Sequence, residues 1–445
     1  MNNAAYLEYQ SRVESNARSY PRRLPLAIVK AEGVHMTDAD GRVFIDCLAG
    51  AGALALGHNH PVVMEAIRSH LSSGLPMQTL DLMTPVKERF LAGLLSTLPA
   101  SFASRARVQF CSPSGADAVE AAMKLVKTAT GRAPMWAMQG GFHGQTHGAL
   151  ALMGNLGPKR RVRGLMPDVQ SLPFPYSYRC PIGSSPCTDC RCADYMQTLL
   201  TDPESGALLP AAVITEVVQG EGGAIRAADD WLRRVRAMTD AHDVPLIFDE
   251  VQTGWGRTGR MYAFEHSGVI PDVLVLSKAV GGGMPLAVVV YDERLDAWKP
   301  GAHSGTFRGN QIAMTAGLAT LEYLRAQQLP AHAERMGVRF LANLATVNHD
   351  FIGEVRGTGL MLGIEIVDPE SCDAAGRPRG DGALAARIQA ECFKRGLIVE
   401  LGGRHGAVIR MLPPLIVTAD QVDTICGIVA DSCAVAAQTR VPAGV

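Results

Sequence analysis

An excess of charge of either sign is missing from this 445-residue chain, in which 42 Lys and Arg face 43 Asp and Glu for a net charge of −1. That balance argues against a polyanion-binding surface. Charged residues make up only 19% against 47% apolar, which excludes a largely disordered chain. No run approaches the roughly 18 apolar residues of a membrane span. The N-terminal stretch MNNAAYLEYQSRVESNARSYPRR mixes acids, Tyr and Arg and lacks the apolar core of a secretory signal. Cytoplasmic residence is therefore expected, with the ten cysteines reduced and disulfide scaffolding disfavoured. Internal repeats, heptad series and low-complexity tracts are absent too. The length suits two or three domains, or one large α/β unit with an appendage, and the neutral balance suits a small soluble substrate rather than nucleic acid or membrane.

What the chain does contain is short apolar runs alternating with amphipathic stretches, the pattern of an α/β protein with a largely parallel sheet. Residues 211–215 (AAVIT), 244–248 (VPLIF) and 273–276 (VLVL) read as buried strands. Between the first two, Asp229 and Asp230 are placed to cap a helix carrying Leu232, Val235 and Met238 on one face. Another helix is expected after Ser114-Gly115, with Val119, Ala122, Met123 and Val126 at helical spacing and Gly131 at its end. Residues 157–210, rich in Pro, Gly and Cys, read as a long surface excursion. From about residue 311 a long helical pattern leads into residues 355–366, 396–400 and 408–410, strands of a separate α+β unit.

The strongest chemical signal is VLVLSKAVGGGMPL, residues 273–286. A lone lysine is ordinarily a solvated surface group. Lys278 instead stands at the end of an apolar strand and before three glycines, where a desolvated amine loses its proton and becomes a nucleophile for an aldehyde. Asp249 closes a second apolar strand, at the carboxyl edge where open α/β sheets bind ligands. Such an acid either caps a turn or faces a cation; with the lysine it suits pyridoxal phosphate, whose pyridinium it would keep protonated. Ser114, Gly115 and Ala116 at a helix start form an anion site. Phe142, between glycines, suits stacking on a flat ring or a place in the core. His143 reads equally as a cofactor contact and as a structural hydrogen-bond partner.

In order along the chain, SGADAVEAA, GGFHG, EVVQGEGG, FDEVQTGWGRTG, LSKAVGGGMPL and GTFRGNQ resemble the class III aminotransferases, members of the fold type I pyridoxal-phosphate enzymes. The likeness starts at about residue 16 and covers almost the whole chain. It implies a large domain on a mainly parallel seven-stranded sheet plus a smaller α+β domain. Residues 1–60 would contribute to the small domain, 61–310 would form the cofactor-binding domain and 311–445 the C-terminal small domain. The resemblance makes Lys278 the Schiff-base lysine and proton shuttle and Asp249 the partner of the pyridinium nitrogen. It sets Val251 on the ring face opposite Phe142, Gln252 at the ring hydroxyl and residues 114–116 at the phosphate, with Ala116 where relatives often carry Thr. Thr306 would reach the phosphate of the neighbouring subunit's cofactor, which implies a homodimer with shared sites.

By the same resemblance Arg410 binds the α-carboxylate of glutamate or 2-oxoglutarate, and Glu221 pairs with that arginine when the substrate has no carboxylate there. A bidentate arginine with a movable acid gives one pocket two charge states. Relatives acting on γ- or δ-amino groups place an arginine just after the FHG-type motif, where this chain has Gln145, so the hold on the distal carboxylate is open. Phrases such as ESNARSYPRRLPLAI, FIDCLAGAGALALGHNHP, TLDLMTPVK and ELGGRHGAVIRMLPPL look like the diaminobutyrate–2-oxoglutarate transaminases. That narrower likeness implies transfer of the 4-amino group of 2,4-diaminobutyrate to 2-oxoglutarate, giving aspartate semialdehyde and glutamate. The alternative is another ω-aminotransferase, acting on ornithine, lysine or 4-aminobutyrate.

Two readings from other classes compete. Gly254 to Gly259 (GWGRTG) is formally a G-x-G-x-x-G dinucleotide motif, but no helix pattern opens there and Asp249 precedes the glycines rather than following them by about 20 residues. Cys180, Cys187, Cys190 and Cys192 lie within thirteen residues, as in a zinc or redox module. A module of that kind leaves the six ordered motifs unexplained. A local structural zinc site and a reduced loop both stay open.

Overall fold

The computed structural model describes residues 1–182 and 191–438. Strands β1 (Ile28–Glu32), β2 (His35–Asp38) and β3 (Val43–Asp46) form an antiparallel meander. Seven strands build the central sheet: β4 (Ala106–Phe110), β5 (Met135–Met138), β6 (Val169–Leu172), β7 (Ala212–Thr215), β8 (Leu246–Asp249), β9 (Val273–Leu276) and β10 (Val288–Asp292). Their order is β4-β10-β9-β8-β7-β5-β6, and β10 alone runs antiparallel to its neighbours. Every residue of β5, β7, β8, β9 and β10 is buried, as strands covered on both faces require.

The helix Gly115–Thr130 is capped by the Ser114 hydroxyl, buries Val119, Ala122, Met123 and Val126, and ends at Gly131 in the left-handed conformation. The helix Asp229–Ala241 starts differently from expectation. Ala228 occupies the cap, and Asp229 and Asp230 sit in the first turn, where they face the positive end of the helix dipole.

Of the stretch read as a surface excursion, residues 157–182 and 191–210 are more regular than that reading. They supply β6, the sheet's edge strand, and the helix Arg191–Thr201, which buries Cys192, Ala193, Met196 and Leu199. A four-residue, half-exposed edge strand leaves too short a pattern to read. Residues 355–366 likewise become two strands, β11 (Ile352–Thr358) and β12 (Met361–Cys372). Gly359, at φ 56°, turns the chain there, with its Cβ direction only 2.6 Å from the Arg257 carbonyl.

The helix Gln311–Ala326 opens the C-terminal part, which adds β13 (Leu397–Ile398), β14 (Glu400–Gly402) and β15 (Val408–Met411). β11, β12, β15 and β14 form an antiparallel sheet in that order, whereas β13 pairs in parallel with β3. The N-terminal meander and the C-terminal chain thus share one sheet. Among the described residues no helix is long and apolar enough to cross a membrane.

Candidate active site

The carboxyl ends of β4, β5, β7, β8 and β9 converge on one cleft of about 300 Å³. β4 delivers Ser114, Gly115 and Ala116 at the start of their helix, and β5 is followed by Phe142 and His143. β7 leads to Glu216, β8 ends on Asp249 and β9 leads to Lys278. Side-by-side strands bring Asp249 opposite Val275, three residues before Lys278. The short polar segments after buried strands are thereby stacked along one edge.

Lys278 is partly exposed to the cleft and has φ 53°, in the left-handed region. For a residue with a Cβ this strain costs on the order of 1–3 kcal/mol. Burial lowers the Lys278 pKa from its ordinary value against the opposing pull of Asp249, and nearby Arg410 lowers it further. Asp249 Oδ2 lies 2.8 Å from His143 Nδ1, and its Oδ1 accepts from the Val251 amide at 3.1 Å. Burial works against a charged His143, but the Asp249 hydrogen bond and charge, together with Glu216, outweigh it and raise the imidazole's pKa. His143 Nε2 is buried without a partner among the described residues. Glu216 accepts from the Phe142 amide at 2.9 Å and the Gly220 amide at 3.0 Å, which fixes the loop behind Phe142. Burial pushes its pKa up to about 7, with His143 opposing.

Gly115 is held to glycine by close packing: an added Cβ would lie 3.0 and 3.2 Å from the two methyls of Val251. Gln252 donates to the Ala51 carbonyl at 2.9 Å and lines the same cleft. At the outer end Arg410, 2% exposed, donates through one nitrogen to Glu221 at 2.6 Å and to Glu400 at 2.5 Å. Its Nε and Nη1 are buried without partners among the described residues. Burial raises the Glu221 pKa, Arg410 opposes and Glu400 adds to the rise. Tyr20 reaches in from the N-terminal segment, its hydroxyl donating to Glu400 at 3.2 Å.

The cleft therefore gathers the predicted residues Ser114, Gly115, Ala116, Phe142, His143, Glu221, Asp249, Val251, Gln252, Lys278 and Arg410. Thr306 is not among its walls. It is exposed, and its carbonyl accepts from Gln78. Glu216, Glu400 and Tyr20 are additions to the sequence reading. Glu216 carries nearly the same signal as Asp249, an acid at the carboxyl end of a buried strand. Glu400 owes its place to the pairing of β14 with β15, which sets it opposite Arg410.

Gly254 to Gly259 form a turn whose buried Arg257 donates to the Leu360 carbonyl at 3.1 Å and to the Pro413 carbonyl, a structural role rather than a dinucleotide cradle. Of the cysteine group, Cys187 and Cys190 lie outside the described residues. Cys180 and Cys192 are buried and do not line the cleft.

The donor set fits pyridoxal phosphate: a helix start for an anion, a desolvated amine for an aldehyde, and a histidine-held carboxylate for a ring cation. The family described as Aminotransferase class-III matches residues 16–432. The chain is 55% identical over 432 residues to a diaminobutyrate–2-oxoglutarate aminotransferase of Rhizobium meliloti, covering 96% of this chain and 92% of the relative. It is 50% identical over 414 residues to the Haemophilus influenzae protein of the same name, covering 92% and 90%. Among solved structures, a PLP-bound amine transaminase from an uncultivated Pseudomonas species superposes with a TM-score of 0.82 at 30% identity, covering 95% of this chain and 97% of that one.

Proposed function

The chain belongs to the class III aminotransferases, pyridoxal-phosphate-dependent enzymes of fold type I, and from that premise we propose that it moves the 4-amino group of L-2,4-diaminobutyrate to 2-oxoglutarate. The products are aspartate semialdehyde and glutamate. Both relatives named above carry this activity in their names, at 55% and 50% identity.

Bound pyridoxal phosphate supplies the electron sink that labilises a C–H bond next to the substrate nitrogen. Lys278 Nζ, kept closer to neutral by burial, would take and hold the proton from C4 of diaminobutyrate. Asp249 would hold the positive charge at the pyridine nitrogen, with His143 fixing that carboxylate's orientation. Residues 114–116 would bind the phosphate, Val251 and Phe142 would flank the ring and Gln252 would meet its hydroxyl, all of them walls of the one cleft.

The observation that carries a two-substrate reaction is Arg410 clamped by Glu221 with two of its nitrogens still unpartnered. With Glu221 closed, the pocket end is neutralised and receives an amine-bearing terminus. With Glu221 withdrawn, the guanidinium receives the α-carboxylate of 2-oxoglutarate. The same design supports other ω-amino donors, so the test offers diaminobutyrate, ornithine, lysine and 4-aminobutyrate with 2-oxoglutarate. Diaminobutyrate should give the highest kcat/KM. Turnover of the other three without the first overturns the assignment. Lys278→Ala should fold yet lose transamination and the yellow, borohydride-sensitive absorbance.

The functional unit in this reading is a homodimer. Leu80, Leu82, Met83 and Phe307 are exposed by 54, 67, 67 and 61%, an apolar surface tied together by Gln78 on Thr306 and by Arg308 on Asp81 at 3.2 Å. That surface carries Thr306, which would then face the partner's cofactor phosphate; a monomeric mass by sedimentation overturns this. Residues 1–60 act as part of the small domain through the β3–β13 pairing, and the enzyme works in the cytoplasm.

A further inference from the structure

Beside the active-site cleft lies a larger cavity of about 790 Å³ that shares Phe142 and Glu221 with it. Arg23, Lys159, Arg160 and Arg404 line it, and among the described residues Glu221, already engaged by Arg410, is the one acid on its walls. The glycines Gly140, Gly141, Gly222 and Gly403 keep those walls low. A cavity of this charge selects anions.

Arg404 is the cation in it whose situation demands a ligand. Its guanidinium carbon sits 5.0 Å from the Tyr176 ring centroid, and Nη1 is buried with no hydrogen-bond partner among the described residues. The nearby acid is already used up. Glu365 accepts from Tyr176, from Arg179 at 2.8 Å and from Arg356 at 2.7 Å, and Arg356 also holds Glu354 at 2.6 Å. Arg179 and Arg356 thus take up both carboxylates, and Arg404 has no hydrogen bond to either among the described residues. A buried guanidinium nitrogen with no acceptor is costly unless something else binds it. Arg404 Nη2 lies 3.7 Å from the Cβ direction of Gly140, two residues before Phe142, which lines both spaces.

We propose that Arg404 is the specificity-determining residue that anchors the substrate carboxylate farthest from the reacting carbon. This rests on the substrate pair proposed above. In diaminobutyrate two carbons separate the amine-bearing carbon from the carboxylate carbon. In 2-oxoglutarate two carbons separate the keto carbon from the distal carboxylate. One anchor at one distance therefore serves donor and acceptor alike, while Arg410 takes the carboxylate that only the acceptor carries next to its reacting carbon. Gln145, uncharged in the cleft wall, leaves this task to a cation elsewhere.

The test compares wild-type holoenzyme with Arg404→Met, which keeps an apolar stem against Tyr176, and Arg404→Lys, which keeps the charge without the planar fork. The probes are glutarate, with a carboxylate at each end, and butyrate, the same chain lacking the distal one. Wild type should bind glutarate more tightly than butyrate, and Arg404→Met should cut that preference about 10- to 100-fold. KM for diaminobutyrate and 2-oxoglutarate should rise together, with Arg404→Lys in between. A glutarate preference within twofold of wild type in Arg404→Met overturns the proposal, as does a wild type with no such preference. Should Arg404→Met not fold, Arg404→Lys decides by the same ratio. Wild type that binds glutarate by this anchor but does not turn over diaminobutyrate refutes the donor assignment alone.

Discussion

Replacing Glu221 by Gln keeps its size and removes its charge, and so tests the two-state clamp on Arg410 directly. The Glu221–Arg410 contact is 2.6 Å between a side chain 37% exposed and one 2% exposed. A hydrogen bond to a charged group contributes about 1.5–3 kcal/mol. Partial exposure screens the pair, which reduces this to about 1–2 kcal/mol. In wild type that energy opposes every substrate that needs Arg410 for a carboxylate and favours every substrate that does not. At 1.4 kcal/mol per factor of ten, its removal shifts the ratio of the two half-reactions by roughly 5- to 30-fold toward glutamate. Glu400 stays in place because sheet pairing holds it opposite Arg410. The assay follows cofactor absorbance in single half-reactions, with glutamate and then diaminobutyrate as the only amine. A glutamate-to-diaminobutyrate ratio of kcat/KM within twofold of wild type, in a variant with normal cofactor absorbance, refutes the clamp. The same logic gives a pH dependence. Burial raises the Glu221 pKa, so the wild-type ratio should approach that of the variant as pH falls through the raised value.

Asp249→Asn removes the carboxylate that lies 2.8 Å from His143 and should lower kcat by about 10²–10³-fold, with a change in the cofactor's absorbance pH profile; unchanged kcat refutes its role. Gly115→Ala drives a methyl to 3.0 Å from Val251 at a cost of about 1–3 kcal/mol, so cofactor release measured by dialysis should quicken by tenfold or more. For Lys278 the folded-state pKa is lowered chiefly by burial, so below it the unfolded chain holds a proton more readily and the fold is penalised. That penalty shrinks as pH rises from the lowered value to 10.5, where it vanishes. Cofactor-free Lys278→Met should therefore exceed the cofactor-free wild type in denaturant stability at neutral pH, with the gap closing toward pH 10.5; a constant gap refutes the burial argument.

The features legible in the chain are those whose physics is local. Runs such as VLVL and LIFD read as strands covered on both faces and fold as such, which sets Lys278 and Asp249 at the sheet's carboxyl edge. Ser114 before an apolar helical face reads as a cap, and its side chain accepts from the Ala116 amide. Where the pattern is short the reading fails: VQSL is too brief and half exposed to announce the edge strand β6, and one glycine at 359 divides what reads as a single strand. Asp229 and Asp230 show the limit of cap prediction, since acids serve equally well in the first turn.

The alternation of strands and helices, the strand-end lysine and aspartate, and the arginine able to hold a carboxylate are all readable along the chain, because burial periodicity and side-chain chemistry belong to each segment. Which distant charges meet is set by the folded arrangement alone. Glu400 faces Arg410 through the register of β14 and β15, Tyr20 reaches Glu400 across 380 positions, and Arg404 is left without an acid because Arg179 and Arg356 take Glu365 first. Such pairings depend on strand register and on competition among neighbours within a few ångströms, and neither is written in any one stretch of chain.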